Sequence, residues 1–176
     1  MIDFSRNHFE LFGLPQRYRV DAAALEHAYR ALQADVHPDR HAAAGDARKR
    51  IALQASARVN EAYRALKDPV TRAEYLLHIR GVDATSETDS RLEVAFLTRQ
   101  LERREMADEA VGNHDAPALA AVLADVAADA AQLRIAVERA LDGEDLEIAR
   151  ARVRELRFLS KLAEDLDAMQ GVEQDG

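Results

Sequence analysis

A chain of 176 residues, 48% hydrophobic but only 5% aromatic, has room for one medium core or two small ones, and its wealth of alanine and leucine favours packed helices over sheets. It has no cysteine, which excludes a disulfide framework and any thiolate-held zinc or iron–sulfur cluster. A formal charge of −8 argues against a nucleic-acid ligand, because neutralising phosphates takes clustered cations.

The charge is unevenly divided, at +3 over residues 1–80 and −11 over residues 81–176, which marks two regions with different electrostatic partners. No apolar run reaches the about 20 residues needed to span a bilayer. Met1-Ile2-Asp3-Phe4-Ser5 lacks the basic-then-apolar pattern of a secretory signal, so a cytoplasmic location is expected. The first amphipathic pattern starts at Asp21 and carries Leu25, Ala28, Tyr29, Leu32 and Val36 at helical spacing. It should end near His37, because Pro38 has no amide proton and turns the residue before it away from helix. A second pattern, Ala52, Ala55, Val59, Ala62, Tyr63 and Leu66, runs until Asp68-Pro69 stops it. The two helices make an antiparallel hairpin whose connection, Pro38 to about Asp46, carries His37 and Asp39 at its exposed end. His37 and His41 lie four apart, but Pro38 interrupts the geometry and nothing nearby completes a tetrahedral set, so no metal is expected there. There is no glycine-rich phosphate loop and no Gly-x-Ser-x-Gly elbow, and an enzyme is not expected.

Helical periodicity lapses at residues 81–86, the expected linker, and three more helices follow over 87–171. The first is expected from about Glu87 to Val111, with a left-handed stop at Gly112-Asn113. The second starts near Pro117 with Asp115 as cap, and its seam is Leu119, Val122, Leu123, Val126, Ala130, Leu133, Val137 and Leu141. Gly143 ends it. The third starts around Asp145 and carries Ala149, Val153, Leu156, Leu159, Ala163, Leu166 and Met169, and residues 172–176 read as a disordered tail. Short connections between long amphipathic helices give an antiparallel three-helix bundle. In its first helix, Phe96, Met106, Ala107 and Ala110 suit the core. Leu97, Leu101, Glu105 and Glu109, beside Thr98 and Glu102, form a separate stripe. Those leucines rimmed by carboxylates read either as a protein-docking patch or as packing against a neighbouring helix. Phe158 sits at the margin of the last helix's seam, next to a basic stripe of Arg150, Arg154, Arg157 and Lys161. It reads either as boundary packing or as completing one apolar patch with the leucines.

The His37-Pro38-Asp39 tripeptide between two helices resembles the signature of a J domain. Phe9-Glu10-Leu11-Phe12-Gly13-Leu14-Pro15 resembles that domain's short first helix and turn, and Asn60-Glu61-Ala62-Tyr63-Arg64-Ala65-Leu66-Lys67-Asp68-Pro69, with Arg72 and Tyr75, resembles the end of its third helix. A J domain followed directly by an acidic three-helix bundle resembles the HscB type of co-chaperone. The likeness extends from about Asn7 to Met169. It is carried further by Arg72-Ala73-Glu74-Tyr75-Leu76-Leu77, by Ala95-Phe96-Leu97 with Gln100-Leu101-Glu102, and by Val153-Arg154-Glu155-Leu156-Arg157-Phe158-Leu159-Ser160-Lys161-Leu162.

The resemblance implies an all-α fold, with a J domain over residues 1–80 made of a helical hairpin and short flanking helices. It implies that His37, Pro38, Asp39, Arg30 and Arg40 meet an HscA-type ATPase chaperone and stimulate it. Leu97, Thr98, Leu101, Glu102, Glu105, Glu109 and Phe158 match the surface with which the family binds the iron–sulfur scaffold protein IscU. No cofactor, nucleic acid or membrane is implied. The chain departs from the pattern at Gln33-Ala34-Asp35-Val36, where J domains usually have basic residues and an aromatic, leaving Arg30, Arg40 and Arg48-Lys49-Arg50 to supply positive charge. Thr98 is more polar than the residue expected at its position. The alternatives are a J protein serving another client, a small hydrolase or metal-dependent enzyme using His37, Asp39 and His41, and a helical adaptor with no chaperone role.

Overall fold

The structure, a computed structural model, describes residues 3–36, 46–84 and 92–174, with only the backbone of Asp46 and of residues 171–174. Among the described residues seven helices follow one another, α1 (His8–Phe12), α2 (Ala22–Val36), α3 (Asp46–Lys67), α4 (Pro69–Ile79), α5 (Val94–Gly112), α6 (Ala116–Asp142) and α7 (Leu146–Gln174), and there is no strand. The chain divides into two compact units, Met1–Ile79 and Arg80–Gly176.

In the first unit, α2 and α3 form the antiparallel hairpin that the two periodic patterns predict. Glu26 accepts from the Tyr63 hydroxyl, Tyr29 stacks on Tyr63 at 4.0 Å, and both the Tyr29 hydroxyl and Gln33 bond to Asn60 Oδ1. Beneath this polar seam Leu25, Val59, Ala62 and Leu66 are buried with Phe9 of α1 and Leu76 and Leu77 of α4. Asp68-Pro69 ends α3 and starts α4 at once. The Asp68 carboxylate accepts from the Thr71 amide at 2.8 Å, and Pro69 occupies the first helical position, where a missing N–H costs nothing. Asn7 and Glu10 close a capping box on α1, and Gly13, at φ 65°, ends it.

His8 fastens α1 to α4. Its ring stacks on Tyr75 at 4.0 Å and its amide donates to the Tyr75 hydroxyl at 3.0 Å, while Nδ1 is buried without a hydrogen-bond partner. Burial, and then the Arg58 cation, push its pKa down from 6.5 to about 4. The folded unit therefore holds His8 neutral while the unfolded chain takes up a proton below pH 6.5. The stability this contributes is complete above 6.5 and is lost as the pH falls towards 4. A single proton sets a slope of at most about 1.4 kcal/mol per pH unit. Denaturant midpoints between pH 7 and 4 should fall less steeply in His8→Phe than in wild type.

In the second unit, α6 packs along α7 and α5 packs chiefly on α6. The expected seams of α6 and α7 are mostly inside, with Leu123, Leu133, Ala163 and Met169 only half-buried. Leu119, Val126, Val137, Leu141, Ala149, Val153, Leu156, Leu159 and Leu166 are almost fully buried. One turn design serves twice. His114 and Glu144 take the left-handed conformation, at φ 54° and 56°. The amides of Asp115 and Asp145 then reach back to Ala110 O at 2.8 Å and Ala140 O at 2.9 Å. The same two aspartates cap the next helix, accepting from Ala118 N at 3.0 Å and Ile148 N at 3.2 Å.

Four expectations change. Glu93 is extended, at ψ 139°, so no single helix runs from Glu87, and α5 starts at Val94; residues 85–91 lie outside the described ones. The left-handed stop falls on His114 rather than at Gly112-Asn113, because the Schellman geometry places it one residue past the cap. Met106 is 59% exposed, and Gln100 and Arg103 occupy the core side of α5 in its place, since their polar groups find partners there. The α7 backbone reaches Gln174, into the segment read as a disordered tail, because one glycine costs a helix only about 1 kcal/mol.

Candidate functional site

On the bundle, α5 and α7 enclose an open groove of about 520 Å³. Helical spacing sets Val94, Leu97 and Leu101 along one edge of α5, and Phe158 and Leu162, one turn apart, along α7. Phe158 meets Phe96 edge to face at 5.7 Å, which holds its ring between the two helices. Leu97, Leu101 and Phe158 are 41%, 60% and 37% exposed, so they do not pack away against a neighbouring helix. Thr98 also lines the groove. Its hydroxyl donates to Val94 O at 3.0 Å, which satisfies the donor locally and leaves the groove largely apolar.

Of the seven residues singled out on the bundle, the structure therefore brings Leu97, Thr98, Leu101 and Phe158 together in one groove. Glu102, Glu105 and Glu109 are exposed on α5 but do not line it. Sequence reasoning missed Val94, 79% exposed at the rim, and Leu162, 8% exposed at the floor. The signal was there: Val94 precedes Leu97 by three and Leu101 by seven, and Leu162 follows Phe158 by four. Arg104 adds a cation to the lining and pairs with Asp108 at 3.4 Å.

A polar network joins Gln100 of the groove lining to α6. Arg103, its side chain 5% exposed, donates to Asp125 Oδ2 at 2.6 and 2.8 Å, to Asp129 Oδ2 at 2.7 Å and to Gln100 Oε1 at 2.9 Å. Burial opposes the charges on Arg103 and Asp129, but their mutual bonds outweigh it, raising the Arg103 pKa and lowering that of Asp129. The network ties α5 to α6 and so fixes the face that α5 turns outward.

On the first unit, Arg30 is exposed at 76% and pairs with Glu26 at 2.9 Å. His37, Pro38, Asp39 and Arg40 follow directly after the last residue of α2 and lie outside the described residues, as does His41. Among the described residues no group of His, Asp or Glu is arranged to hold a metal ion, and no helix is long and apolar enough to cross a membrane.

Two independent matches coincide with the two units. Residues 7–75 match the family model of the DnaJ domain, and residues 92–167 match that of the HSCB C-terminal oligomerisation domain. The helical hairpin with its short flanking helices, joined to an all-α bundle bearing an apolar groove, thus defines a J-domain co-chaperone. The chain is 46% identical over 170 residues to a co-chaperone protein HscB homolog of Burkholderia mallei, covering 96% of each protein. It is 43% identical to one of Paraburkholderia xenovorans, covering 94% of this chain and 95% of that one. Among solved structures it is similar to the chaperone HscB from Vibrio cholerae, with a TM-score of 0.84, 34% identity, and coverage of 93% of this chain and 96% of that one. It is also similar to human co-chaperone protein HscB, with a TM-score of 0.88, 29% identity, and coverage of 95% and 83%. The chain belongs to the HscB family of co-chaperones.

Proposed function

We propose that this protein acts as an adaptor rather than an enzyme, stimulating the ATPase of an HscA-type heat-shock chaperone and delivering to it an IscU-type iron–sulfur scaffold protein in the cytoplasm. The observation that carries this reading is the exposed apolar groove of Leu97, Leu101 and Phe158, in a chain whose other unit is a J domain. Residues 1–80 are the chaperone-facing part, with His37, Pro38, Asp39, Arg30 and Arg40 in contact. Residues 81–86 are the linker. Residues 87–171 hold the scaffold through Leu97, Thr98, Leu101 and Phe158, with Glu102, Glu105 and Glu109 outside the groove to pair with cations on the bound partner. The leucines and the phenylalanine supply apolar area in a concave site, and the carboxylates orient the partner and speed its approach. Carrying both contacts in one chain raises the local concentration of client at the chaperone as ATP is spent. No bound cofactor enters this cycle.

The test is steady-state ATP hydrolysis by an HscA-type chaperone with this protein alone, with scaffold added, and with His37→Gln in its place. Stimulation that grows with scaffold and disappears in His37→Gln is expected. Stimulation indifferent to scaffold would leave a J protein with another client, and none would favour a helical adaptor without a chaperone role.

A further inference from the structure

Three of the described side chains that line the bundle groove are polar, Thr98, Gln100 and Arg104. Arg104 reaches the Asp108 carboxylate at 3.4 Å, and the Thr98 hydroxyl donates to a carbonyl of its own helix. Gln100 does the same with its amide nitrogen, which donates to Phe96 O at 3.2 Å. Its amide oxygen is the harder group to satisfy, because the backbone N–H groups of a helix interior are already spent on the helix's own ladder. Arg103 supplies the donor. Its Nη1 donates to Gln100 Oε1 at 2.9 Å, while Nε and Nη2 are taken by Asp125 and Asp129 of α6. The two carboxylates balance the guanidinium charge, so an arginine only 5% exposed stands beside an apolar groove without a bare cation. Joining α5 to α6 needs only those two aspartates. The bond to Gln100 stays within α5 and adds nothing to that join, but it leaves both ends of the amide occupied.

We propose that Arg103 is a positioning residue for scaffold binding: by holding the Gln100 oxygen it keeps the groove lining free of a polar group that would retain water. This rests on the scaffold-binding reading above and deepens it, adding a residue that touches no partner. An apolar side chain of the scaffold enters a groove that it need not dehydrate. Without the donor, the Gln100 oxygen turns to water in the groove, and a docking side chain must strip that water without replacing its bond. The cost falls on the complex.

The measurement is the Kd of an IscU-type scaffold for the full chain, by titration calorimetry well below the lowest thermal midpoint of the proteins compared. Arg103→Met with Asp129→Asn keeps an apolar stem in place and leaves the net charge unchanged, yet takes the donor from Gln100 Oε1. This pair should raise Kd at least about fivefold, by the same factor at low and at high salt. Adding Gln100→Leu removes the stranded oxygen and should bring Kd back to within about twofold of wild type. A role in bundle stability alone would not give that rescue, because the third substitution leaves α5 just as untied from α6. A smaller loss in the pair overturns the proposal, and so does a triple variant that stays outside the twofold range. Wild-type protein that binds no scaffold at all removes the scaffold-binding reading and this proposal with it, a result that the wild-type titration gives by itself.

Discussion

Replacing Leu97 and Leu101 together by alanine is expected to weaken binding of an IscU-type scaffold by about 2–4 kcal/mol, roughly 30- to 1,000-fold in Kd. Both side chains stand 41% and 60% exposed on one edge of the groove, with Phe158 opposite. A partner that fills the groove removes that exposed area from water, and truncation to alanine forfeits most of the gain. Because the side chains lie outside the core, the double variant should keep its thermal midpoint, and the ATPase response to the protein alone should be unchanged. Titration calorimetry against scaffold measures the loss, and an affinity equal to wild type would mean that the groove is not where the scaffold sits. Glu105→Gln with Glu109→Gln makes a useful contrast. Rim charges act mainly on the association rate, so this pair should lose affinity at low salt and little at high salt.

Arg103→Ala should lower the stability of the bundle by about 2–4 kcal/mol, equivalent to a fall in thermal midpoint on the order of 10 °C or more. The variant leaves Asp125, Asp129 and the Gln100 amide without the donor that joins them. Asp125 is 64% exposed and Asp129 34%, so both rehydrate in part, which keeps the loss below that of a fully buried pair. Arg103→Met with Asp129→Asn should recover much of it, since the apolar stem is replaced and one unpaired charge is gone. The contribution of Asp129 has a defined pH range. Its pKa is held below 3.8, so the stability is present above that value and is lost as the pH falls through the lower one. A midpoint within about 2 °C of wild type for Arg103→Ala would mean that the network positions α5 without stabilising the unit.

The hairpin, the bundle and the two seams of α6 and α7 were legible because each depends on apolar residues recurring along a single helix, where period alone assigns the inward face. The α5 helix was less legible. Its inward face includes Gln100 and Arg103, whose burial depends on carboxylates of α6 that local spacing cannot reveal, and so Met106 took a core place that it does not have. His8 was missed for a similar reason. Nothing in Asn7-His8-Phe9 foretells that an imidazole will lie against a tyrosine 67 residues later. The groove was half legible: Leu97, Leu101 and Phe158 stood out as leftovers from the seams, while Leu162, one turn beyond Phe158, was passed over because the seam was drawn through its neighbour Ala163.

The His8–Tyr75 clasp has a consequence for synthesis. Its partners are separated by 67 residues, so the front unit cannot close its first helix until the ribosome has made nearly all of that unit. At about 5–20 residues per second, that is roughly 3–13 s during which Phe9 and Phe12 have no finished core to enter. In the bundle Phe96 meets Phe158 only 62 residues later, so that unit waits too, although each of its turns closes within a few residues of the helix it ends. A nascent chain stalled shortly before Tyr75 should therefore leave its first helix open to proteolysis.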